Sequence, residues 1–220
     1  MKPLFLVANW KSNKTVEEAK NWIFQLKFRE KPDTLHIILC APFTVLSLLK
    51  TEIEKAQLPI SLGAQTVSPF PSGAYTGEIS AQMLKGLADY VIVGHSERRK
   101  YFSEKDDMLF KKVEQAKLAG LKIIYCVENS DISVPLQVDL VAYEPSAAIG
   151  SGKPEDPTVA EVVCNRLKEK HAALPVLYGG SVTPDNIKNY CEQPSIDGVL
   201  VGGASLDTEK FFRLVNAVSS

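Results

Sequence analysis

At 220 residues, 45% of them hydrophobic, the chain can bury one sizeable core and is too apolar to be disordered. Its formal net charge of −1, with both signs mixed along the length, leaves no basic stripe to follow a phosphate backbone, which excludes nucleic acid as an expected partner. No run reaches the roughly 18 apolar residues of a membrane span, and the apolar run Leu4 to Ala8 is too short for a signal-peptide core, so a cytoplasmic protein with no membrane partner is expected.

In chain order, the first apolar run is Leu4–Asn9. A helical stripe of Val16, Ala19, Ile23 and Leu26 follows it, opened by a capping box of Thr15 with Glu18. Further runs are Ile37–Ala41, Ile60–Gln65, Tyr90–His95 and Lys122–Val127. Before the last of these, Ser103 with Asp106 opens a helix whose stripe is Leu109, Val113 and Ala116. The remaining runs are Asp139–Glu144, Val176–Gly179 and Gly198–Gly202. Pro157 stands in the first turn of a helix carrying Val159, Val162, Val163 and Leu167. Thr183-Pro184 starts a shorter helix, and Phe211, Leu214, Val215 and Val218 mark the last one.

The runs are continuously apolar rather than alternating, which is the pattern of strands buried on both faces. Eight such strands separated by helices predict a parallel sheet closed as one (β/α)8 barrel over residues 1–220. The alternative, an open doubly wound sheet, would call for a glycine-rich first turn, and the first turn here is Asn9-Trp10-Lys11-Ser12. Between the fifth and sixth strands only Glu128 to Gln137 are available, with Pro135 inside. That is near the minimum for a parallel crossover, so the covering helix there is expected to be shortened or missing, and a partner subunit is expected to cover the wall. Cys40, Cys126, Cys164 and Cys191 form no CxxC pair and read as small buried hydrophobes of a reducing compartment.

The polar residues that interrupt this apolar pattern fall at strand ends: Asn9 and Lys11, His95 and Glu97, Glu144, Gly179-Gly180-Ser181, and Gly202-Gly203. In a (β/α)8 barrel these ends share the C-terminal face, where active sites are built. Residues Ser96 to Arg99 read as a first helical turn, and a helix N-terminus disfavours imidazolium, so His95 is expected to be neutral and able to donate to a substrate oxygen. Glu144, followed by Pro145, ends an apolar strand, where a carboxylate is costly unless it is solvated, paired (with Arg98 or Lys11) or used as a base. The segment Pro145 to Pro154, mostly small residues, reads as a hinged lid. Lys11 supplies positive charge for an anionic substrate; an ion pair with Lys11 or an arginine accounts for Glu97 as well as a catalytic role does. The two glycine pairs let backbone N–H groups approach a phosphate, the second opening a helix whose dipole favours negative charge.

Asn9-Trp10-Lys11, Gly94-His95-Ser96-Glu97-Arg98-Arg99, Ala142-Tyr143-Glu144-Pro145, Ile149-Gly150-Ser151-Gly152, Tyr178-Gly179-Gly180-Ser181-Val182 and Gly202-Gly203-Ala204-Ser205-Leu206 span nearly the whole chain. In this order they resemble the signature segments of the triosephosphate isomerase family. The resemblance implies an aldose–ketose isomerase of glycolysis and gluconeogenesis that interconverts D-glyceraldehyde 3-phosphate and dihydroxyacetone phosphate through an enediol(ate). It implies Glu144 as the base, His95 as the neutral proton shuttle, and Lys11 and Asn9 as stabilisers of oxyanion and phosphate, with Glu97 the remaining catalytic candidate. Gly150, Ser181, Gly202 and Gly203 would bind the phosphate, and no metal or organic cofactor is implied. The stretch Gln65 to Glu78 resembles the family's long third loop. That implies a homodimer or a tetramer, with Thr76 near the neighbouring active site. The chain departs from many relatives at Ser146-Ala147, at the second lid hinge Lys153-Pro154-Glu155, and at Cys126-Val127-Glu128, which lacks the glycine often found before the glutamate. Two other readings agree less well with these residues. A different barrel isomerase or phosphate-binding lyase would call for a Schiff-base lysine inside the barrel, and a non-catalytic barrel would have lost Glu144 or His95; the sequence fits neither.

Overall fold

The computed structural model describes residues 2–26, 31–145, 153–171 and 174–219. Eight parallel strands form a closed barrel in chain order: β1 (Leu4–Asn9), β2 (Leu35–Ala41), β3 (Ile60–Ala64), β4 (Tyr90–Val93), β5 (Lys122–Val127), β6 (Leu140–Tyr143), β7 (Val176–Tyr178) and β8 (Gly198–Val201). All eight expected strands are present, and the barrel rather than the open sheet is the outcome. Closure runs through β1 against β8, with Phe5 opposite Gly198 and Leu6 opposite Val199. Gly198 has φ +154, and a Cβ there would overlap the Phe5 backbone, so only glycine lets the two strands meet at this seam.

Side chains alternate between two cores. Val7, Ile38, Cys40, Ile92, Ile124, Cys126, Ala142, Leu177 and Leu200 point inward and fill the barrel. The intervening residues, such as Leu6, Ile123, Tyr125, Val141 and Tyr143, pack outward under the helices. The cysteines are free and lie as expected, Cys40, Cys126 and Cys164 buried and Cys191 half-buried.

Helix α1 (Val16–Gln25) opens with the expected capping box: the Glu18 N–H donates to Thr15 Oγ1 (3.3 Å), and the Thr15 N–H donates to Glu18 Oε2 (2.8 Å). Val16, expected in its buried stripe, is 53% exposed, and Trp22 takes the inner face with Ala19 and Ile23. The bulkier indole meets Trp10 edge-on at 5.0 Å and Phe211 at 5.1 Å, which turns the helix to bury it. Helices α2 (Phe43–Ala56) and α3 (Ala81–Leu84) follow β2 and β3.

After β4 come α4 (Ser96–Phe102) and α5 (Asp106–Leu118). Ser103 does not cap α5. It ends α4 instead, in the left-handed region (φ 53), its N–H donating to the Arg98 carbonyl, and Lys105 is the residue before α5. Helix α6 (Pro157–Lys170) starts on Asp156, whose side chain accepts the Thr158 N–H, with Pro157 first in the helix as expected. Its inner stripe is Ala160, Cys164 and Leu167, while Val159 and Val162 face outward, about half exposed. The small Ala160 and Cys164 let this helix lie close to the barrel, and that contact sets its phase against the valines. Helix α7 (Ile187–Cys191) begins after a turn in which Asn186 Oδ1 accepts the Thr183 N–H, so Thr183-Pro184 precedes the helix rather than starting it. Helix α8 (Thr208–Ser219) buries Phe211, Leu214 and Val215.

Between Val127 and Leu140 there is no helix, as the short connection predicted. Val134 and Val138 tuck into the outer core, Leu136 is 97% exposed, and Lys170 Nζ of α6 reaches back to the Ser130 carbonyl (2.6 Å). Among the described residues no helix is long and apolar enough to cross a membrane.

Candidate active site

The C-terminal ends of the strands frame a cavity of about 480 Å³. Asn9, Lys11, His95, Glu144, Gly179, Gly180, Ser181, Gly202 and Gly203 all line it. Glu97 lies beside this cavity rather than on it, and Gly150 falls outside the described residues, as do Ser146 and Ala147.

At the end of β1, Asn9 Oδ1 accepts the Lys11 N–H (3.0 Å), a local turn that puts Lys11 in the left-handed region (φ 52). Gln65, at the tip of β3, holds this turn from the other side: its amide donates to the Lys11 carbonyl (2.8 Å) and to the Cys40 carbonyl (3.2 Å). With its backbone fixed, Lys11 directs Nζ to Glu97 Oε1 at 2.5 Å. Glu97 is thus ion-paired, and Lys11 is the partner.

His95 is the residue before α4, and its side chain caps that helix. Nδ1 accepts the Glu97 N–H (3.2 Å), so this nitrogen carries no proton and the neutral ring keeps its proton on Nε2. Nε2 stands 2.9 Å from Glu144 Oε1. The contact does not count as an aligned hydrogen bond, and among the described residues the buried Oε1 has no hydrogen-bond partner. Glu144 is 1% exposed, and its other oxygen accepts the Ser96 N–H at 2.8 Å. The cations that could have neutralised it are engaged elsewhere, Arg98 with Glu104 (2.7 Å) and Lys11 with Glu97. A buried carboxylate oriented by one peptide N–H and an adjacent imidazole, with one oxygen left over, is built to take a proton. Below it, burial and the Glu144 charge both push the Cys126 thiol up, so Cys126 is a neutral floor to the site.

The glycines make room. A Cβ on Gly179 would come within 2.9 Å of Glu144 Cγ, one on Gly180 would overlap the Tyr178 ring, and one on Gly202 would sit 3.3 Å from Lys11 Cε. Gly202 opens not a full helix but one 3-10 turn, Gly203–Ser205, closed by Ser205 Oγ donating to the Gly202 carbonyl (2.6 Å). That turn adds no long helix of its own, but α8, which follows it, lines the cavity with Lys210 and Arg213.

Three features of the site carry little signal in the sequence. The Ser96 N–H that holds the carboxylate is backbone and has no sequence signal. Gln65 had one, a polar amide at an apolar strand's tip. The cluster of Tyr143, Tyr178 and Tyr190 around Glu155 joins three elements to the loop before α6, and only the folded chain assembles it.

A carboxylate, a neutral imidazole and an ammonium around a glycine-walled cavity on the C-terminal face define an acid–base enzyme of the phosphate-binding (β/α)8-barrel class. The family described as "Triosephosphate isomerase" matches residues 4–136 and 132–218. Proteins named triosephosphate isomerase match over almost the full chain. The one from Mesomycoplasma hyopneumoniae is 39% identical, covering 96% of this chain and 97% of its own. That from Picosynechococcus sp. is 39% identical (99% and 100%), and that from Gloeobacter violaceus 40% identical (98% and 99%). The chain belongs to the triosephosphate isomerase family, and it is an isomerase of triose phosphate.

Proposed function

We propose that the chain interconverts D-glyceraldehyde 3-phosphate and dihydroxyacetone phosphate through an enediol(ate), with the work divided among the rim residues as follows. Glu144 removes the proton from the carbon beside the carbonyl and returns it to the neighbouring carbon. His95 donates from Nε2 to the carbonyl oxygen, then passes the proton between the two oxygens of the enediol(ate). Lys11 offsets the charge that develops on oxyanion and phosphate, and Asn9 holds the turn that carries it. Peptide N–H groups of Ser181, Gly202 and Gly203, together with Gly150, hold the phosphate. Glu97 acts through Lys11 rather than on the substrate. The observation that carries this reading is the 2.9 Å approach of His95 Nε2 to Glu144 Oε1, which lets one three-carbon molecule meet both groups.

The test is a coupled assay with glyceraldehyde 3-phosphate on the parent and on Glu144→Gln. Robust turnover is expected in the parent and a loss of at least ~10²-fold in the variant, the scale of a positioned general base. Equal rates would remove Glu144 from the mechanism.

The protein works in the cytoplasm as a homodimer or tetramer. The loop after β3 supports this: Phe70 and Tyr75 stack at 4.4 Å near its tip, each 40% exposed, beside the exposed Thr76. Apolar rings on an exposed loop suit burial against a second copy, where Thr76 would approach the neighbouring active site. The thinly covered wall over β5 and β6 offers a second surface for a partner.

A further inference from the structure

The chain leaves β6 at Tyr143, one residue before the base, and Glu155 lies where it enters α6. Three tyrosines meet at Glu155. Its N–H donates to the Tyr178 hydroxyl (2.9 Å), and the Tyr190 hydroxyl donates to its carbonyl (2.5 Å). The rings of Tyr178 and Tyr190 lie stacked, 4.1 Å apart and 8° from parallel, both fully buried. These two bonds hold the backbone and ask nothing of the side chain; any residue except proline at this position would satisfy them.

The carboxyl does something else. Tyr143 Oη donates to Glu155 Oε1 (3.3 Å), and among the described residues the buried Oε2 has no hydrogen-bond partner. Among the described residues, the titratable groups that act with it are Tyr143 of β6, Tyr178 of β7, Tyr190 of α7, Cys164 of α6 and the adjacent Asp156, none of them a cation. Burial raises the carboxyl above its usual range, the Tyr143 hydrogen bond opposes that, and Asp156 adds to it. A hydrogen bond from Tyr143 suits a carboxyl in these surroundings.

Tyr143 packs outward, in the core between strands and helices, and the residues on either side of it on β6 point to the barrel interior and the rim. Fixing its hydroxyl fixes the roll of the strand end, and with it the direction of the next side chain. We propose that Glu155 is a positioning residue of the reaction: through Tyr143 it holds the end of β6 in the orientation that aims the Glu144 carboxylate. This rests on Glu144 being the base.

The test measures kcat, KM and Tm for Glu155→Ala, Glu155→Gln, Tyr143→Phe and the Glu155→Ala/Tyr143→Phe double variant, with Glu144→Gln alongside. Glu155→Ala is expected to lower kcat about 10-fold with KM within about 2-fold, the mark of a misaimed group rather than lost substrate contact. Glu155→Gln, an uncharged isostere that can still accept from Tyr143, should recover most of that loss. Tyr143→Phe should reproduce it, and the double variant should lose no more than either single one. Parental kcat in Glu155→Ala, a loss confined to KM, or losses that multiply in the double variant would overturn the proposal. If Glu155→Ala does not fold, parental kcat in Tyr143→Phe overturns it equally. An active Glu144→Gln would instead bring down the base assignment, whereas an inactive one beside a parental Glu155→Ala removes only the role given to Glu155.

Discussion

The quarter of the barrel around β1 and β2 and the quarter around β5 and β6 are both built from mainly apolar, mainly buried strands, yet they are roofed by different means. Over the first lie α1 and α2, with Trp22 wedged between Trp10 and Phe211 and with Val45, Leu46, Leu49 and Ile53 beneath α2. Over the second there is no helix from the connection itself; two valines of the loop, and α5 and α6 on either side, do the covering. The register of β5 with β6 is nonetheless continuous, Ile124 opposite Leu140 through Val127 opposite Tyr143. Pairing within the barrel therefore depends on the strands and their neighbours, and a crossover needs only to return the chain. Glu144 is at the end of the thinly roofed strand, while Asn9 and Lys11 are at the end of the thickly roofed one.

Three measurements sharpen or break this contrast. Trp22→Ala should cost about 3–5 kcal/mol in denaturant unfolding, since it empties the aromatic wedge. A cost under about 1 kcal/mol would mean that the α1 roof contributes little. Val134→Ala should cost only about 1–2 kcal/mol, two methyl groups' worth. A value matching that of Trp22→Ala would make the loop as structural as a helix. Leu136→Ser, at a side chain 97% exposed, should change the unfolding of the isolated subunit by less than about 0.5 kcal/mol and act on assembly instead. The expected result is a smaller species in sedimentation velocity at low concentration; an unaltered assembly would take the partner away from this wall.

The parts legible in the sequence were those set by local chemistry. Continuous apolar runs gave all eight strands because strands buried on both faces leave no polar period to misread. Thr15 with Glu18, and Pro157, marked helix starts through bonds made within one turn. Residues such as His95 and Glu144 stood out because they break an apolar run at its end, and closure of the barrel brings such ends to one rim. What could not be read depended on packing between distant elements. Val16 lost the inner face of α1 to Trp22 because an aromatic neighbour sits across from it, and Val159 and Val162 lost theirs to Ala160 and Cys164 because small residues permit closer approach. Ser103 matched a cap pattern, but the preceding helix claimed it for its stop. The Glu155 cluster draws one hydroxyl each from β6, β7 and α7, a meeting that spacing along the chain does not encode.

The seam at Phe5 and Gly198 has a consequence for how the molecule comes into being. The first strand of the barrel has the last one as its neighbour, so β1 must wait, with one edge open, until β8 has been synthesised. Ladder bonds between adjacent strands can form as the chain emerges, but the final zip is the contact most distant in sequence and hence the slowest to find. Until then the rim is a crescent rather than a ring, and β1, with Asn9 and Lys11 at its end, cannot pair with β8, which Gly202 and Gly203 follow.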